Sequence, residues 1–139
     1  MTTPPRNWTL ERRIPSNPDL CAKLIESLVE ALEKFGWADR EMFGIRMVME
    51  EAIVNAIRHG NQCSSDKSVD ITMKVDDREF HATITDQGEG FDPNEVPDPT
   101  KDENLECDSG RGLVLINTYA DEVTYNQIGN SVTLRKIKP

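Results

Sequence analysis

The spacing of apolar side chains divides the chain into segments with strand and helix periods. Alternation over Trp8–Ile14 predicts a first strand. A helical period then runs from Leu20 to Phe35, and Gly36 is a typical stop signal. Ser16 precedes this segment with a proline and an acid close behind, so we expect a serine-capped helix start there.

A second helix, expected to be capped by Asp39 and closed by Gly60, is apolar around most of its circumference. At about 100° per residue, Glu51, Asn55 and Arg58 nevertheless fall on one stripe. Such a helix belongs in an interior, where a carboxylate and an amide need partners. One explanation is that Glu51 pairs with Arg58 while Asn55 bonds to a loop. The other is a polar ligand, with Glu51 as a base and Asn55 as an oxygen ligand to Mg²⁺.

Two hairpins and an irregular segment make up most of the remaining chain. The predicted strands are Val69–Val75, Phe80–Ile84, Glu122–Asn126 and Val132–Ile137. Phe91–Ser109 has no clear period, which favours a functional lid, with a disordered surface loop as the alternative. A short apolar helix over Leu113–Ala120 follows. This order predicts an α+β fold, a two-layer sandwich with helices on one face of a mainly antiparallel sheet.

Composition limits the partners and the compartment. We expect residues 1–139 to form a single domain, with 1–7 as a flexible end. The net charge of −9 argues against direct nucleic-acid binding. Cys21, Cys63 and Cys107 form no C-x-x-C pair and are typical of thiols in a reducing compartment. Since the sequence has no membrane-length apolar run and no signal peptide, we expect a cytoplasmic protein that does not contact a membrane.

Two glycine-containing segments add candidate binding groups. Asp86, at a strand end, can accept a hydrogen bond from an exocyclic amine such as that of adenine, and Gly88 and Gly90 let the backbone approach a flat ring. Gly110-Arg111-Gly112 opens a helix, whose free N–H groups suit phosphates. Each segment alone is equally well explained as an ordinary turn or helix start. Together with the polar stripe and the lid, they supply the parts of a nucleotide pocket.

The same segments resemble the motifs of a known family. Glu51–Gly60 (EAIVNAIRHG) resembles the N box of the GHKL (Bergerat-fold) ATPases. Asp86-x-Gly88-x-Gly90 resembles their G1 box, and Gly110-Arg111-Gly112-Leu113 resembles their G2 box. From about Leu10 to Lys138 the chain is similar to bacterial anti-sigma-factor serine/threonine kinases, notably in the stretches GFDPNEVPDPT, SGRGLVLI, ADEVTYN and GNSVTL.

The resemblance implies a site for ATP and Mg²⁺. Asn55 would hold the metal, Asp86 would contact adenine, and Glu51 would act as general base toward a serine hydroxyl of a partner protein. The other residues of the implied nucleotide site are Arg58, His59, Gly88, Gly90, Gly110, Arg111, Gly112, Leu113 and Ser131. Ser131, with Asn130 before it, stands where many relatives have threonines, and it retains a hydroxyl.

The function that the resemblance implies is an ATP-dependent protein serine kinase acting as an anti-sigma regulatory factor. Such a protein phosphorylates a serine of an anti-sigma-factor antagonist and sequesters a sigma factor. The alternative is a non-catalytic, nucleotide-gated binding module of the same fold, in which ATP orders the lid and changes partner affinity. The family often dimerises, so the resemblance also allows for a homodimer.

Overall fold

A five-stranded antiparallel sheet and two long helices form the described part of the chain. The computed structural model describes residues 7–61, 64, 66–88, 119–126 and 130–139, without the side chains of Pro18 and His59. The strands are β1 Trp8–Pro15, β2 Ser68–Val75, β3 Glu79–Thr85, β4 Glu122–Tyr125 and β5 Ser131–Ile137. Their order in the sheet is β1-β2-β3-β5-β4, with every neighbouring pair antiparallel. The predicted α+β class and both predicted hairpins are therefore confirmed.

One apolar core joins the two helices to one face of the sheet. In β2, alternate residues from Val69 to Val75 are buried, and in β3 the same holds from Phe80 to Ile84. These side chains belong to the same core as Leu28 of the first helix, which is completely buried. Alternation along the strands therefore places their apolar residues under the helices, as the pattern predicts.

The first helix, α1, spans Cys21–Lys34 after a 3₁₀ turn over Pro18–Leu20. Gly36 follows it with a φ of 77°, which confirms the predicted stop. The predicted serine cap is wrong, because the Ser16 hydroxyl donates instead to the Lys67 carbonyl at 2.8 Å. Ser16 comes directly after β1 and is buried, so its hydroxyl is used by a tertiary contact before α1 begins.

The second helix, α2, spans Asp39–Asn55 and continues as a π-helical turn over Ala56–Gly60. The N–H of Asn61 donates to the Ala56 carbonyl at 2.8 Å, the five-residue spacing of a π turn. The predicted end at Gly60 is confirmed. The predicted Asp39 cap is wrong, since Ala38 occupies the cap position and Asp39 is already helical, where its charge favours the positive helix end.

Burial along α2 is one-sided rather than complete. Positions such as Val48, Met49 and Ile53 are buried, whereas Met47 and Val54 are only half-buried. The expectation of an interior helix is therefore wrong for one side of α2. Within the described residues, α1 and the sheet pack mainly on the other side, so apolar composition alone overstates how much of the helix is enclosed.

The structure bears differently on the remaining expectations, which concern the lid, the last helix, the cysteines and membrane crossing. The predicted lid Phe91–Ser109 lies outside the described residues, as does most of the predicted helix Leu113–Ala120. Cys21 is buried, and burial raises the pKa of its thiol to about 11, so the group is protonated at neutral pH. Cys63 and Cys107 lie outside the described part. None of the described helices combines the length and apolarity that crossing a bilayer requires.

Candidate functional site

Three elements meet around Asp86: the π turn after α2, the turn after β3 and the start of β5. Gly60 packs so closely on Asp86 that a Cβ atom built on Gly60 would overlap the Asp86 carboxyl group. A Cβ atom on Gly88 would likewise overlap the carbonyl oxygen of Gly60. Among the described glycines only Gly36 has a positive φ. Gly60 and Gly88 are therefore required by close backbone approach and not by a left-handed conformation.

The backbone of Asp86 is fixed by the turn between β4 and β5. Its N–H donates to the Asn130 carbonyl at 2.9 Å, and the Asn130 amide Nδ2 donates to the Asp86 carbonyl at 3.2 Å. The carboxylate Oδ1 accepts the Gly88 N–H at 2.8 Å. A carboxylate has further acceptor capacity beyond this bond, so Asp86 can also accept from the amine of a ligand.

Burial raises the pKa of the Asp86 carboxyl above its ordinary value. The Gly88 N–H bond and the charge of Lys67 act in the opposite direction, but burial is the larger effect. Partial removal from water makes the charged form less favourable and strengthens any hydrogen bond that the group accepts. This is the setting expected of a carboxylate that recognises an amine.

Ser131 lies beside Asp86 through the pairing of β3 and β5. The register places Ser131 opposite Thr85, and their hydroxyl oxygens are 2.8 Å apart. Because side chains alternate along a strand, Thr85 and Ser131 share the face of the sheet opposite the buried Ile84, so Ser131 is near Asp86 along the backbone only. The structure thus brings Asp86 and Gly60 into direct contact, whereas the hydroxyl of Ser131 contacts Thr85.

Glu51 and Asn55 occupy the half-buried side of α2, and Arg58 beyond them is exposed. Their spacing of four residues puts Glu51 and Asn55 on one side of the helix, about 6 Å apart along its axis. Val48, about two turns before Asn55 on the same side, is buried. The predicted polar stripe is therefore present, at the boundary of the core rather than inside it.

The single amide of Asn55 fits a Mg²⁺ ion whose other ligands are phosphate oxygens and waters. Within residues 7–61, 64, 66–88, 119–126 and 130–139, no three His, Cys, Asp or Glu side chains form a cluster that would hold a metal ion. Mg²⁺ is commonly bound through one or two protein oxygens, with phosphate oxygens and waters completing its shell. The half-buried amide of Asn55 suits that arrangement.

Part of the predicted nucleotide site falls outside the described residues. The residues concerned are Gly90, Gly110, Arg111, Gly112 and Leu113, together with the side chain of His59. Their roles stay predictions.

Asn61 is a residue of this region that sequence reasoning missed. It is completely buried, yet its side chain makes three hydrogen bonds, to residues 7, 26 and 45 positions away in the chain. In sequence it follows a helix-ending glycine, where an asparagine is a typical exposed loop residue. No periodic signal could have revealed its burial.

Comparison with known proteins agrees with this geometry. The profile of the histidine kinase-like ATPase domain matches residues 14–136. The chain belongs to this family. This confirms the GHKL-type resemblance of the motifs.

Individual relatives are similar over most of the chain. An anti-sigma F factor of Halalkalibacterium halodurans is 37% identical over 101 residues, which are 69% of each chain. The serine-protein kinase RsbW of Bacillus subtilis is 25% identical over 136 residues, covering 91% of this chain and 84% of the relative.

A solved structure supports the fold. The crystal structure of the RsbU and RsbW domains of a Mycobacterium tuberculosis protein superposes with a TM-score of 0.62 at 15% identity. The match covers 94% of this chain and 32% of that one. At this sequence identity the structural similarity supports the fold alone.

Proposed function

We propose that residues 1–139 form a single ATP-dependent protein serine kinase domain that acts as an anti-sigma regulatory factor. In this proposal it phosphorylates a serine of an anti-sigma-factor antagonist and sequesters a sigma factor. The observation that carries the proposal is the close packing of the Asp86 carboxyl group on Gly60, which ends the helix that bears Glu51 and Asn55. The names of the relatives, anti-sigma F factor and serine-protein kinase, support the same assignment.

The residues of the site would divide the work of phosphoryl transfer. Asp86 would accept a hydrogen bond from the adenine amine, and Asn55 would hold Mg²⁺ through its amide oxygen. The ion, when bound with the nucleotide, neutralises charge on the phosphates. Glu51 would accept the proton of the serine hydroxyl as the serine oxygen bonds to the γ-phosphorus. The bond between that phosphorus and the bridging oxygen breaks, and ADP leaves.

Replacing Glu51 tests the catalytic part of this proposal. In Glu51→Gln the side chain keeps its shape but cannot accept the proton, so phosphate transfer should fall about 100-fold or more. ATP affinity should stay close to that of the native protein, because the proposed contacts to adenine and metal remain. The measurement is incorporation of labelled γ-phosphate into a purified anti-sigma-factor antagonist, alongside calorimetric titration with ATP and Mg²⁺.

The neighbouring glutamate provides a matched control. Glu50 lies on the same helix and pairs with Arg46 at 3.2 Å, so Glu50→Gln removes one carboxylate without touching the proposed base. It should phosphorylate as the native protein does. Undiminished transfer by Glu51→Gln would refute the assigned role of Glu51. A native protein that binds ATP and antagonist but transfers no phosphate would instead support the nucleotide-gated binding module.

A further inference from the structure

We propose that Asn61 is a positioning residue that holds Asp86 in place and thereby sets the preference of the site for adenine nucleotides. The inference rests on the proposed nucleotide-binding function and extends it to a residue outside the three motifs. It is carried by a closed set of hydrogen bonds and by two close packing contacts, all between described residues.

Asn61 uses both ends of its amide. The side-chain oxygen accepts the N–H of Gln87 at 2.7 Å. The side-chain nitrogen donates to the Ser68 carbonyl at 2.8 Å and to the Ser16 hydroxyl oxygen at 3.0 Å. Only a side chain that is both donor and acceptor can satisfy these partners at once. Because Asn61 is completely buried, water cannot replace a lost bond at this position.

The bonds of Asn61, Gln87 and Ser68 close into a ring. Gln87 donates its N–H to Asn61, Asn61 donates to the Ser68 carbonyl, and the Ser68 N–H donates to the Gln87 side-chain oxygen at 2.7 Å. The ring ties the end of the π turn to the start of β2 and to the turn after β3. Each member is held by two bonds, so the turn after β3 has little freedom to shift.

Asp86 lies between two residues that this ring controls. On one side it is covalently joined to Gln87, whose N–H Asn61 holds. On the other side its carboxyl group packs on Gly60, which directly precedes Asn61 in the chain. Displacing Asn61 therefore releases Asp86 from both sides. Asn130 still holds the Asp86 backbone, so the carboxylate would be misplaced rather than lost.

A misplaced Asp86 should weaken discrimination between nucleotides. Adenine presents an exocyclic amine as a donor, whereas guanine presents a carbonyl oxygen at the corresponding ring position. A fixed carboxylate accepts from the amine and disfavours the carbonyl, and this selectivity depends on its exact position. The ratio of ATP to GTP affinity therefore reports on Asp86 more specifically than overall stability does.

The experiment compares ATP and GTP affinities of the full chain by calorimetric titration with Mg²⁺. Asn61→Ala should lower ATP affinity about tenfold, as expected for loss of one good hydrogen bond, and lower GTP affinity less. The ATP to GTP affinity ratio should therefore fall. In an Asp86→Ala background, Asn61→Ala should cause no further loss of ATP affinity, because its effect passes through Asp86.

A matched control separates positioning from general destabilisation. Trp37 is buried and donates from Nε1 to the Asp76 carbonyl at 2.8 Å, at the opposite end of β2. Trp37→Phe removes that buried bond, so it should lower the urea midpoint of unfolding. Its ATP to GTP affinity ratio should stay that of the native protein, since Trp37 lies at the other end of β2 from the ring that holds Asp86.

A second variant keeps the test decisive if Asn61→Ala does not fold. Gln87 is exposed, so Gln87→Ala should fold while opening the ring at Ser68. It should lower the ATP to GTP affinity ratio by a smaller factor. Native ratios in the folded variants would overturn the role of Asn61 and leave the proposed kinase standing. A native protein that binds neither nucleotide would overturn both, whereas ATP binding without phosphate transfer would overturn the kinase alone.

Discussion

Asp86 shows how a single residue can be placed for function at some expense of stability. Burial raises the pKa of its carboxyl, so the folded protein holds the charged form less favourably than the unfolded chain does. Its Oδ1 accepts the Gly88 N–H, a bond that a neutral amide oxygen can also accept, though more weakly. The charge itself is therefore not needed for the fold. A charged residue that is kept where its charge destabilises the folded protein is typical of a functional position.

Asp86→Asn should make the protein more stable near neutral pH and weaken its binding of ATP. Well below the ordinary aspartate pKa of 3.8, Asp86 is protonated in both the folded and the unfolded protein. The raised pKa then gives the variant no advantage in stability. As pH rises from that value through the raised pKa of Asp86 in the folded protein, Asp86 ionises first in the unfolded chain. The native protein therefore loses stability relative to the variant over this range. The difference then stays constant at higher pH. Urea unfolding of both proteins across this range measures it.

Asp70 provides a control of opposite sign. Its carboxylate pairs with Arg13 at 2.7 Å, and a hydrogen bond from that guanidinium lowers the pKa of Asp70. A lowered pKa stabilises the folded protein above the ordinary value and loses that effect as pH falls. Asp70→Asn should therefore be slightly less stable than the native protein at neutral pH, and the difference should vanish in acid. If Asp86→Asn behaved like Asp70→Asn, burial would not be the dominant influence on Asp86.

At the scale of elements, the change from α to π helix at Ala56 shapes the end of α2. The N–H of Asn61 reaches back five residues to the Ala56 carbonyl. The wider turn carries Gly60 against Asp86 and leaves Asn61 pointing into the ring with Gln87. Short π segments in helices are frequent at functional sites. Here the segment joins the end of α2 to the turn after β3.

Gly60→Ala should disrupt this junction. A Cβ atom would overlap the Asp86 carboxyl group, so the two elements must separate, with a destabilisation of about 1–3 kcal/mol and a loss of ATP affinity. Gly36→Ala is the control. A positive φ of 77° makes alanine unfavourable by about 1 kcal/mol, but among the described residues the new Cβ would meet only Lys138 Nζ, at an ordinary contact distance of 3.4 Å. It should unfold more easily and bind ATP as the native protein does. Equal ATP affinity in both variants would show that Gly60 does not position Asp86.

At the scale of the whole molecule, one core couples the nucleotide site to global stability. The helices and the sheet share the same buried cluster, and the residues around Asp86 join β3, β5 and the end of α2. A ligand that binds these elements only when they are assembled must stabilise the folded state as a whole. Its effect is set by its concentration relative to its dissociation constant.

ATP with Mg²⁺ should therefore raise the thermal midpoint of unfolding. At a concentration 100 times the dissociation constant the stabilisation is about 2.7 kcal/mol, which corresponds to roughly 10 °C for a domain of this size. EDTA should reduce the shift, because the phosphates would bind near Asn55 without their ion. Differential scanning fluorimetry measures both effects, with Asp86→Ala as the variant that should show a much smaller shift. An identical shift in Asp86→Ala would place the nucleotide elsewhere.

The sequence by itself determined the elements and the candidate chemistry of this protein. Alternation along strands, the helical period and the stop at Gly36 depend on neighbouring residues, so they can be read locally, and they hold in the structure. Asp86 and Ser131 were predicted as site residues from short motifs and a family resemblance; the structure places Asp86 against Gly60 and Ser131 against Thr85.

Only the tertiary structure decided which polar groups are buried and what they bind. Ser16 resembles a helix cap in sequence, yet its hydroxyl accepts from Asn61, 45 residues away. Asn61 resembles a loop residue, yet it is completely enclosed. Local periodicity cannot report such contacts, because a hydrogen bond between distant segments forms only when the sheet and α2 have packed and excluded water between them.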